Sequence, residues 1–234
     1  MNDDFVYSLK NYLKKQPFLF RVVRWLLGGS RVGLSPEKAI EGVEGKIVNL
    51  GSGSQRIRKD VINLDVYPCR EVDIVGDIYR LPFKDNEIDA VICDQVLEHL
   101  KNASRAIGEM RRVLKPGGLV YVAAPFIFGY HSSPDDYYRF TENGLEAIME
   151  EQGFDKIKSG IRQGPTSAFL AVICQWLAVV LSFGSGKLYQ LWLLFFMVLT
   201  FPLKFLDYLV WRYSPAKNIA FGFYYLGKKN DANS

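Results

Sequence analysis

The chain has 234 residues, of which 49% are hydrophobic and 23% are charged, so it can bury a large core and is neither disordered nor collagen-like. Its 29 basic and 25 acidic residues leave a formal charge of +4, which is too small to indicate a nucleic-acid partner, and we expect none. The three cysteines are widely spaced and form no CxxC pair, which favours a reducing cytosol over a disulfide framework.

Residues 1–44 are predicted to form a basic, amphipathic N-terminal segment. Phe5, Leu9 and Leu13 share one helical face, whereas Lys10 and Lys14 lie elsewhere on the helix. This composition is typical of a segment at the surface of an anionic membrane, and ordinary packing against the rest of the chain is the alternative. The N-terminus opens with acidic residues and has no apolar run of signal-peptide length, so we expect no secretion signal.

Residues 45–164 alternate short β-branched runs with helical patterns, which predicts parallel strands joined by crossovers. Strands are predicted at residues 46–50, 61–65, 72–77, 88–95, 118–126, 154–162 and 218–229. One helix is predicted before Pro116 and a second from Thr141 to Met149, where the threonine side chain can cap the first turn. The fold class is therefore α/β.

A glycine-rich turn, NLGSGS, follows the first predicted strand, and its Gly51 and Gly53 allow a ligand to approach the backbone closely. Asp65 ends the next strand, at the place where an acidic residue accepts hydrogen bonds from ribose hydroxyls. Arg56 replaces the third glycine of the GxGxxG fingerprint, and the connection to the second strand is too short for a full helix. Both features disfavour pyrophosphate binding and an NAD-linked oxidoreductase. These residues favour an adenosine ligand, and a tight strand turn with a solvated aspartate is the alternative.

Over about residues 45–160 the sequence resembles the class I S-adenosylmethionine-dependent methyltransferases. Besides the glycine-rich turn, the resemblance is carried by LPF at residues 81–83, EHL at residues 98–100 and LKPGG at residues 114–118. It implies an enzyme that uses S-adenosylmethionine. It also implies a Rossmann-like, seven-stranded, mostly parallel sheet with helices on both faces, in which the sixth strand is parallel and the seventh antiparallel.

The resemblance also implies cofactor contacts at the ends of the first four strands. The implied residues are Asn49, Gly51, Ser52 and Gly53 around the methionine part, Asp65 at the ribose, Asp77 and Ile78 at the adenine, and Asp94 and Gln95 beside the methyl group. Asn49 departs from the family, which usually has an acidic residue there. A catalytically silent module that binds S-adenosylmethionine and scaffolds an assembly is the alternative from another class, and Asn49 is its only support.

A sulfonium methyl group is already activated, so the enzyme mainly has to align the acceptor and remove its proton. His131, in the loop after the fifth strand, is the predicted catalytic base, since imidazole accepts protons near neutral pH. Similar methyltransferases of polysaccharide gene clusters often carry its H-x-x-P-x-D-Y-x-R-F pattern. We predict that His99, Asp135, Tyr137 and Arg139 contact the substrate. The alternative is a loop ordered by Asp–Arg pairing and buried tyrosines. No His, Cys and Asp grouping shows metal-ligand spacing, so we expect no metal.

Residues 168–211 contain only three charged side chains, those of Lys187, Lys204 and Asp207. FGSGK divides them into two uncharged runs, 168–183 and 188–203, each of 16 residues. A helix of that length spans about 24 Å, less than the roughly 30 Å hydrocarbon core of a bilayer. The pattern therefore predicts a re-entrant or embedded helical hairpin over residues 165–212. Burial of the hairpin in a dimer partner or in the domain itself is the alternative.

The predicted organisation has four parts: residues 1–44, the methyltransferase domain at 45–164, the hairpin at 165–212, and the last strand and tail at 213–234. Arg162, Arg212 and Lys217 flank the hairpin on the domain side, which favours a cytosolic location for both hairpin ends. We predict a monotopic or peripheral enzyme at the cytoplasmic face of the membrane. Its bilayer-held acceptor is predicted to be a lipid-linked saccharide methylated on oxygen, with a quinone or polar lipid as the alternative. Oligomers could form through the hairpin.

Overall fold

A computed structural model describes residues 28–131 and 134–230 of the chain. The predicted amphipathic face of Phe5, Leu9 and Leu13 lies outside these residues and stays a prediction. The strands are β1 (Ile47–Leu50), β2 (Val61–Asp65), β3 (Ile74–Val75), β4 (Ile88–Asp94), β5 (Leu114–Pro125), β6 (Phe154–Gln163) and β7 (Gly222–Lys229). The helices are α1 (Pro36–Ala39), α2 (Ala103–Val113), α3 (Glu142–Glu151), α4 (Pro165–Leu181), α5 (Gly186–Thr200) and α6 (Asp207–Val210). Short 3₁₀ turns lie at Leu97–His99, Phe201–Leu206 and Ser214–Ile219.

The strands form one sheet in the order β3-β2-β1-β4-β5-β7-β6. The first five strands are parallel, and β7 pairs antiparallel with both β5 and β6, so β6 runs parallel to the first five. The predicted Rossmann-like sheet with its antiparallel seventh strand is therefore confirmed. The carboxyl ends of β1 to β6 meet at one edge, where ligands bind in open α/β sheets.

Some predicted boundaries differ from the observed ones. The third strand has two residues, and β5 begins at Leu114 rather than at residue 118. The early start is possible because the β4–β5 register shifts between the Ile88–Leu114 and Ala90–Leu119 pairs, which leaves Pro116 unpaired in the ladder. The last strand begins at Gly222 because the residues before it form a 3₁₀ turn. No helix lies between β1 and β2, as predicted from the short connection.

Helices cover both faces of the sheet. On one face, Ile107 and Met110 of α2 and Met149 of α3 are fully buried against the strands. Asn102 and Thr141 cap these two helices with their side chains, as predicted for Thr141. The other face packs around the short helix α1 and two stacked tyrosines of β5 and β7. The two faces hold the carboxyl edge of the sheet as a rigid platform.

Helices α4 and α5 form an antiparallel hairpin between β6 and β7, as predicted, but the second arm is longer than the 16-residue run. Helical structure continues from Gly186 to Val210, over 25 residues that are apolar and long enough to cross a membrane by length and composition. The charged residues Lys204 and Asp207 do not end the helix, because both are buried against the rest of the chain. Burial of the hairpin in the domain itself is wrong for α5, none of whose residues is buried.

Asp207 joins the end of the second hairpin arm to the start of the first. Its carboxylate accepts hydrogen bonds from the backbone N–H of Thr166 at 2.6 Å, and from the N–H and hydroxyl of Ser167 at 3.0 and 2.6 Å. It thereby caps α4, whose own N-cap residue is Gly164 and has no side chain to do so. A Cβ on Gly164 would lie 2.2 Å from the Asp207 Cγ, so the close approach requires glycine.

We expect Asp207→Ala to destabilise the protein by about 3 kcal/mol, because it removes a buried charged acceptor from three donors. The measurement is denaturant unfolding in detergent. Asp60→Ala is the matched control: it removes an exposed carboxylate paired with Arg58, and an exposed ion pair contributes little to stability. Equal losses in the two variants would contradict the anchoring role of Asp207.

Candidate active site

The glycine-rich turn leaves the carboxyl end of β1 and has the backbone expected of a ligand loop. Gly51 and Gly53 have φ angles of 63° and 54°, which favour glycine. A Cβ on Gly51 would lie 2.5 Å from the Val96 Cγ2, whereas one on Gly53 would meet no protein atom within 4 Å. The Gly53 N–H donates to the Asp65 carboxylate at 2.8 Å, which joins the turn to the end of β2.

Several buried polar atoms at this edge have no hydrogen-bond partner among residues 28–131 and 134–230, and two of them bear on the cofactor. These two are the Ser52 hydroxyl in the turn and the Gln95 amide nitrogen just after β4. Gln95 also has a φ of 61°, a strained backbone for a non-glycine residue, of the kind found at ligand sites. Together with the open space at Gly53 and the carboxylate of Asp65 at the ribose position, these groups fit S-adenosylmethionine.

Asn49 is buried and donates from its amide to the Asn63 Oδ1 at 3.1 Å. The Asn63 amide nitrogen is itself committed to the carbonyls of Gln55 and Glu71, so only its oxygen can face residue 49. Position 49 therefore needs a donor, which explains physically why an amide stands where the family usually has an acid.

We expect Asn49→Asp to destabilise the protein by about 2 kcal/mol instead of improving cofactor binding, because the new carboxylate would face the Asn63 oxygen without a hydrogen between them. Thermal unfolding and S-adenosylmethionine titration measure the two effects. Adding Asn63→Asp would not restore stability, because an aspartate at position 63 has no amide nitrogen to donate to the carbonyls of Gln55 and Glu71. A variant Asn49→Asp that is stable and binds the cofactor more tightly would contradict this account.

The remaining predicted cofactor residues lie at the same edge. Asp77 is exposed after β3 and accepts from the Tyr79 N–H at 2.9 Å, next to the partly buried Ile78. Asp94 ends β4, and its carboxylate accepts from the Arg162 guanidinium at 3.2 Å. Arg162 is only 2% exposed, so it is not a solvent-facing cation beside the hairpin, and the location of the hairpin ends stays a prediction. It supports Asp94 from within the sheet.

The loop after β5 is ordered around Asp136, a residue that we did not select from the sequence. Arg139 pairs with Asp136 at 2.6 Å, not with Asp135, and this hydrogen bond lowers the pKa of Asp136 to about 2. Asp136 also accepts from the His131 N–H at 2.8 Å. The aspartate of the H-x-x-P-x-D-Y-x-R-F pattern is Asp136, so the motif could have identified this residue from the sequence.

The neighbouring residues lie further towards solvent. Asp135 is exposed and its carboxylate accepts from the Tyr137 hydroxyl at 3.0 Å. Tyr137 and Tyr138 are 45% and 42% exposed, so the Asp–Arg part of the alternative interpretation is confirmed and its buried tyrosines are wrong. The substrate roles of Asp135, Tyr137 and Arg139 stay predictions.

The structure brings His99 and His131 together with the buried carboxylate of Glu98. The Nε2 atom of each histidine lies 3.8 Å from the Glu98 Oε1, and one ligand atom from each of the three residues lies within 4.8 Å of the others. These three residues could together hold a metal ion, although no metal-ligand spacing is visible along the sequence, and the expectation of no metal stays a prediction. Spacing along the sequence could not show this group, because it combines the turn after β4 with the loop after β5.

Comparison with known proteins identifies the domain. Residues 50–122 match the family model described as a methyltransferase domain. An uncharacterised methyltransferase of Schizosaccharomyces pombe is 38% identical over 86 residues, which are 36% of this chain and 31% of the relative. A demethylmenaquinone methyltransferase of Desulfitobacterium hafniense is 35% identical over 81 residues, 34% of this chain and 32% of the relative. This chain thus spans about a third of the length of these relatives.

Solved structures show the same fold over nearly the whole chain. The 1,6-didemethyltoxoflavin-N1-methyltransferase of Burkholderia thailandensis has a TM-score of 0.57 at 12% identity, covering 98% of this chain and 87% of the other. The Haemonchus contortus phosphoethanolamine N-methyltransferase 2, solved with S-adenosylmethionine, has a TM-score of 0.53 at 18% identity, covering 89% and 56%. Residues 50–122 therefore match a methyltransferase domain, the solved structures show the same fold, and the residues around the glycine-rich turn fit S-adenosylmethionine as the cofactor.

Proposed function

We propose that the whole protein is a membrane-associated methyltransferase that methylates an oxygen of a membrane-held acceptor, such as a lipid-linked saccharide, at the cytoplasmic face. The observation that carries this proposal is the apolar surface of the α4–α5 hairpin, which residues 28–131 and 134–230 leave exposed. Leu191, Val198 and Leu199 are 61%, 58% and 62% exposed, and Phe183 at the turn is 88% exposed. An apolar surface of this extent needs a membrane or a partner to cover it.

The hairpin is rooted beside the candidate active site. Helix α4 begins directly after β6, at the carboxyl edge of the sheet. Its Gln175 packs so tightly on the loop after β5 that a Cβ on Gly129 would lie 2.2 Å from the glutamine Oε1. Gly129 is two residues before His131. Insertion of the hairpin into lipid would therefore hold the predicted base close to the bilayer surface.

An apolar groove at the root of the hairpin supports a lipid-attached acceptor. Its walls come from the start of α4 and from the segment that leads to β7, and include Pro165, Phe169, Val210 and Ile219. A groove lined by aliphatic and aromatic side chains suits a hydrocarbon chain, while polar groups at the sheet edge suit a head group. The acceptor would then lie across the boundary between the hairpin and the domain.

When bound, S-adenosylmethionine supplies a methyl group that is already activated by the sulfonium charge. The chain's own task is to orient the acceptor oxygen and receive its proton. His131 is the predicted base, and Asp136 and Arg139 hold it in place through the contacts described above. Asp65 and the glycine-rich turn position the donor side.

A quinone acceptor is the second candidate. Two relatives are named demethylmenaquinone methyltransferase and 2-phytyl-1,4-beta-naphthoquinone methyltransferase, and each shares about a third of its length with this chain. Such acceptors are also membrane-held, so the hairpin does not separate the two classes. The chemical identity of the methylated product distinguishes a saccharide acceptor from a quinone acceptor.

The test is incubation of the purified protein with isotopically labelled S-adenosylmethionine and either membranes or the soluble metabolite fraction, followed by mass spectrometry. We expect label in the lipid extract, on a saccharide-bearing lipid, together with S-adenosylhomocysteine. Label on a quinone would favour the second candidate. Label only in water-soluble products would contradict the proposal. Cofactor binding without S-adenosylhomocysteine would indicate the silent module.

A further inference from the structure

Glu98 is buried without a hydrogen-bond donor among the residues that the structure describes. Its side chain is fully buried, and both carboxylate oxygens lack a partner in that described part of the chain. The guanidinium of Arg139 is close enough to respond to the charge of Glu98, but it donates to Asp136 and to the carbonyls of Phe128 and Gly129 instead. A buried carboxylate without a donor is strongly unfavourable unless a positive charge compensates it.

The two histidines present lone pairs to this carboxylate. The His99 Nδ1 lies 2.6 Å from the carbonyl oxygen of Asp135, and because a carbonyl can only accept, Nδ1 carries the hydrogen. The His131 Nδ1 lies 3.3 Å from two acceptors, the Gly129 carbonyl and the Asp136 carboxylate, and 3.5 Å from one donor, the Arg139 Nη2. The two closer acceptors favour a hydrogen on Nδ1. Both Nε2 atoms are then unprotonated and face the Glu98 Oε1 at 3.8 Å.

We propose that Glu98, His99 and His131 bind a divalent transition-metal ion of the zinc class. Two imidazole nitrogens and one carboxylate are a common zinc ligand set, and a carbonyl or carboxylate that fixes the other ring nitrogen is the usual outer-shell partner. Ligands at zinc distances lie about 3.4 Å apart, so the 3.8 Å separations need only a small contraction. The chain has two histidines in all, and both are in this group.

The metal site goes beyond the proposed function. One consequence of it, binding of the acceptor hydroxyl by the ion, rests on the proposed function. Three protein ligands leave a zinc-class ion with an open coordination position, which binds oxygen donors. A hydroxyl of the acceptor is such a donor. His131 would then be a metal ligand and not the general base, because its Nε2 lone pair can serve only one of these roles. The ion would make a bound acceptor hydroxyl more acidic, and the proton would pass to water instead.

The test is metal binding by the full-length protein, made without a histidine tag and stripped with a chelator. We expect one Zn²⁺ per chain by elemental analysis after readdition, and one Co²⁺ per chain with a visible absorption spectrum that Zn²⁺ abolishes. Glu98→Gln and His99→Ala should each weaken Zn²⁺ binding at least 100-fold. Asp155→Asn is the control, because it changes an exposed carboxylate on β6 outside the group, and it should bind Zn²⁺ like the unsubstituted chain.

Binding of S-adenosylmethionine, measured in parallel, shows that each variant is folded. Failure of the stripped protein to bind Zn²⁺ or Co²⁺ would overturn the proposal, as would stoichiometric binding that survives both Glu98→Gln and His99→Ala. These readouts do not depend on methyl transfer. A protein that binds the metal but labels no membrane acceptor would contradict the proposed function alone.

Discussion

Binding of the protein to lipid vesicles is expected to be lost when three lysines are placed on the exposed face of α5. The triple variant is Leu191→Lys, Leu194→Lys and Val198→Lys. The three side chains are between 51% and 61% exposed, so the substitutions leave the packing of the domain intact. Each lysine at the centre of a membrane helix costs about 3 kcal/mol, so even partial insertion would weaken by more than about 100-fold. Flotation with vesicles, without detergent, measures the effect.

Ile157→Lys is the control for this variant. Ile157 is 52% exposed on the edge strand β6, so the substitution adds a lysine to an equally exposed aliphatic position outside the hairpin. It should float with the vesicles like the unsubstituted protein. If the triple variant floats equally well, or if it becomes monomeric from a dimer that never bound lipid, the hairpin serves as a protein interface instead.

Substitution of Gly51 by alanine is expected to weaken S-adenosylmethionine binding at least 10-fold. The positive φ strains any other residue by about 1 to 2 kcal/mol, and the new Cβ would collide with Val96, whose Cγ2 would be 2.5 Å away. The turn must move to relieve the collision, and with it the Ser52 and Gly53 backbone that should contact the cofactor. Calorimetric titration of the cofactor gives the change in affinity.

Gly117→Ala separates strain from collision. Gly117 has a φ of 70°, but a Cβ there would meet nothing within 4 Å, and it lies at the start of β5. This control should lose some stability and keep its affinity for the cofactor. Val96→Ala should restore part of the binding to Gly51→Ala by removing the colliding methyl groups. Equal affinity losses in both glycine variants would contradict the close-approach explanation.

Motif order and strand patterning predicted the sheet well, because the β-branched runs, the glycine-rich turn and the caps are local signals. The parallel sixth and antiparallel seventh strands came from the family resemblance, and the pairing of β7 with β5 and β6 confirms them. The two-residue β3 could not be predicted, since strand ends depend on neighbours in the sheet.

The candidate site was harder to predict where it depends on contacts between distant segments. The sequence placed Arg162 on the domain side of the hairpin, but it could not show that pairing with Asp94 buries the guanidinium inside the domain. Glu98 gave no sign of its burial, since glutamate is usually exposed, and its histidine neighbours come from two loops. Charge alone could not show which of the two neighbouring aspartates pairs with Arg139. Only the H-x-x-P-x-D-Y-x-R-F motif indicated Asp136 instead of Asp135.

Similarly, the length of the second hairpin arm was underestimated, because Lys204 and Asp207 were taken as the polar end of the apolar run. Their charges are used inside the fold, where Asp207 caps α4, so they do not mark a water boundary. A count of charges along the sequence could not distinguish a solvated side chain from one that fastens two helices.

The most direct test of the account is co-flotation of labelled S-adenosylmethionine with the protein and anionic vesicles in the absence of detergent. The account predicts that label and protein rise together in the gradient, and that label stays at the bottom when the protein is omitted. A protein that remains at the bottom with its label, or one that rises without it, would contradict the combination of a nucleoside site and a lipid-embedded hairpin in one chain.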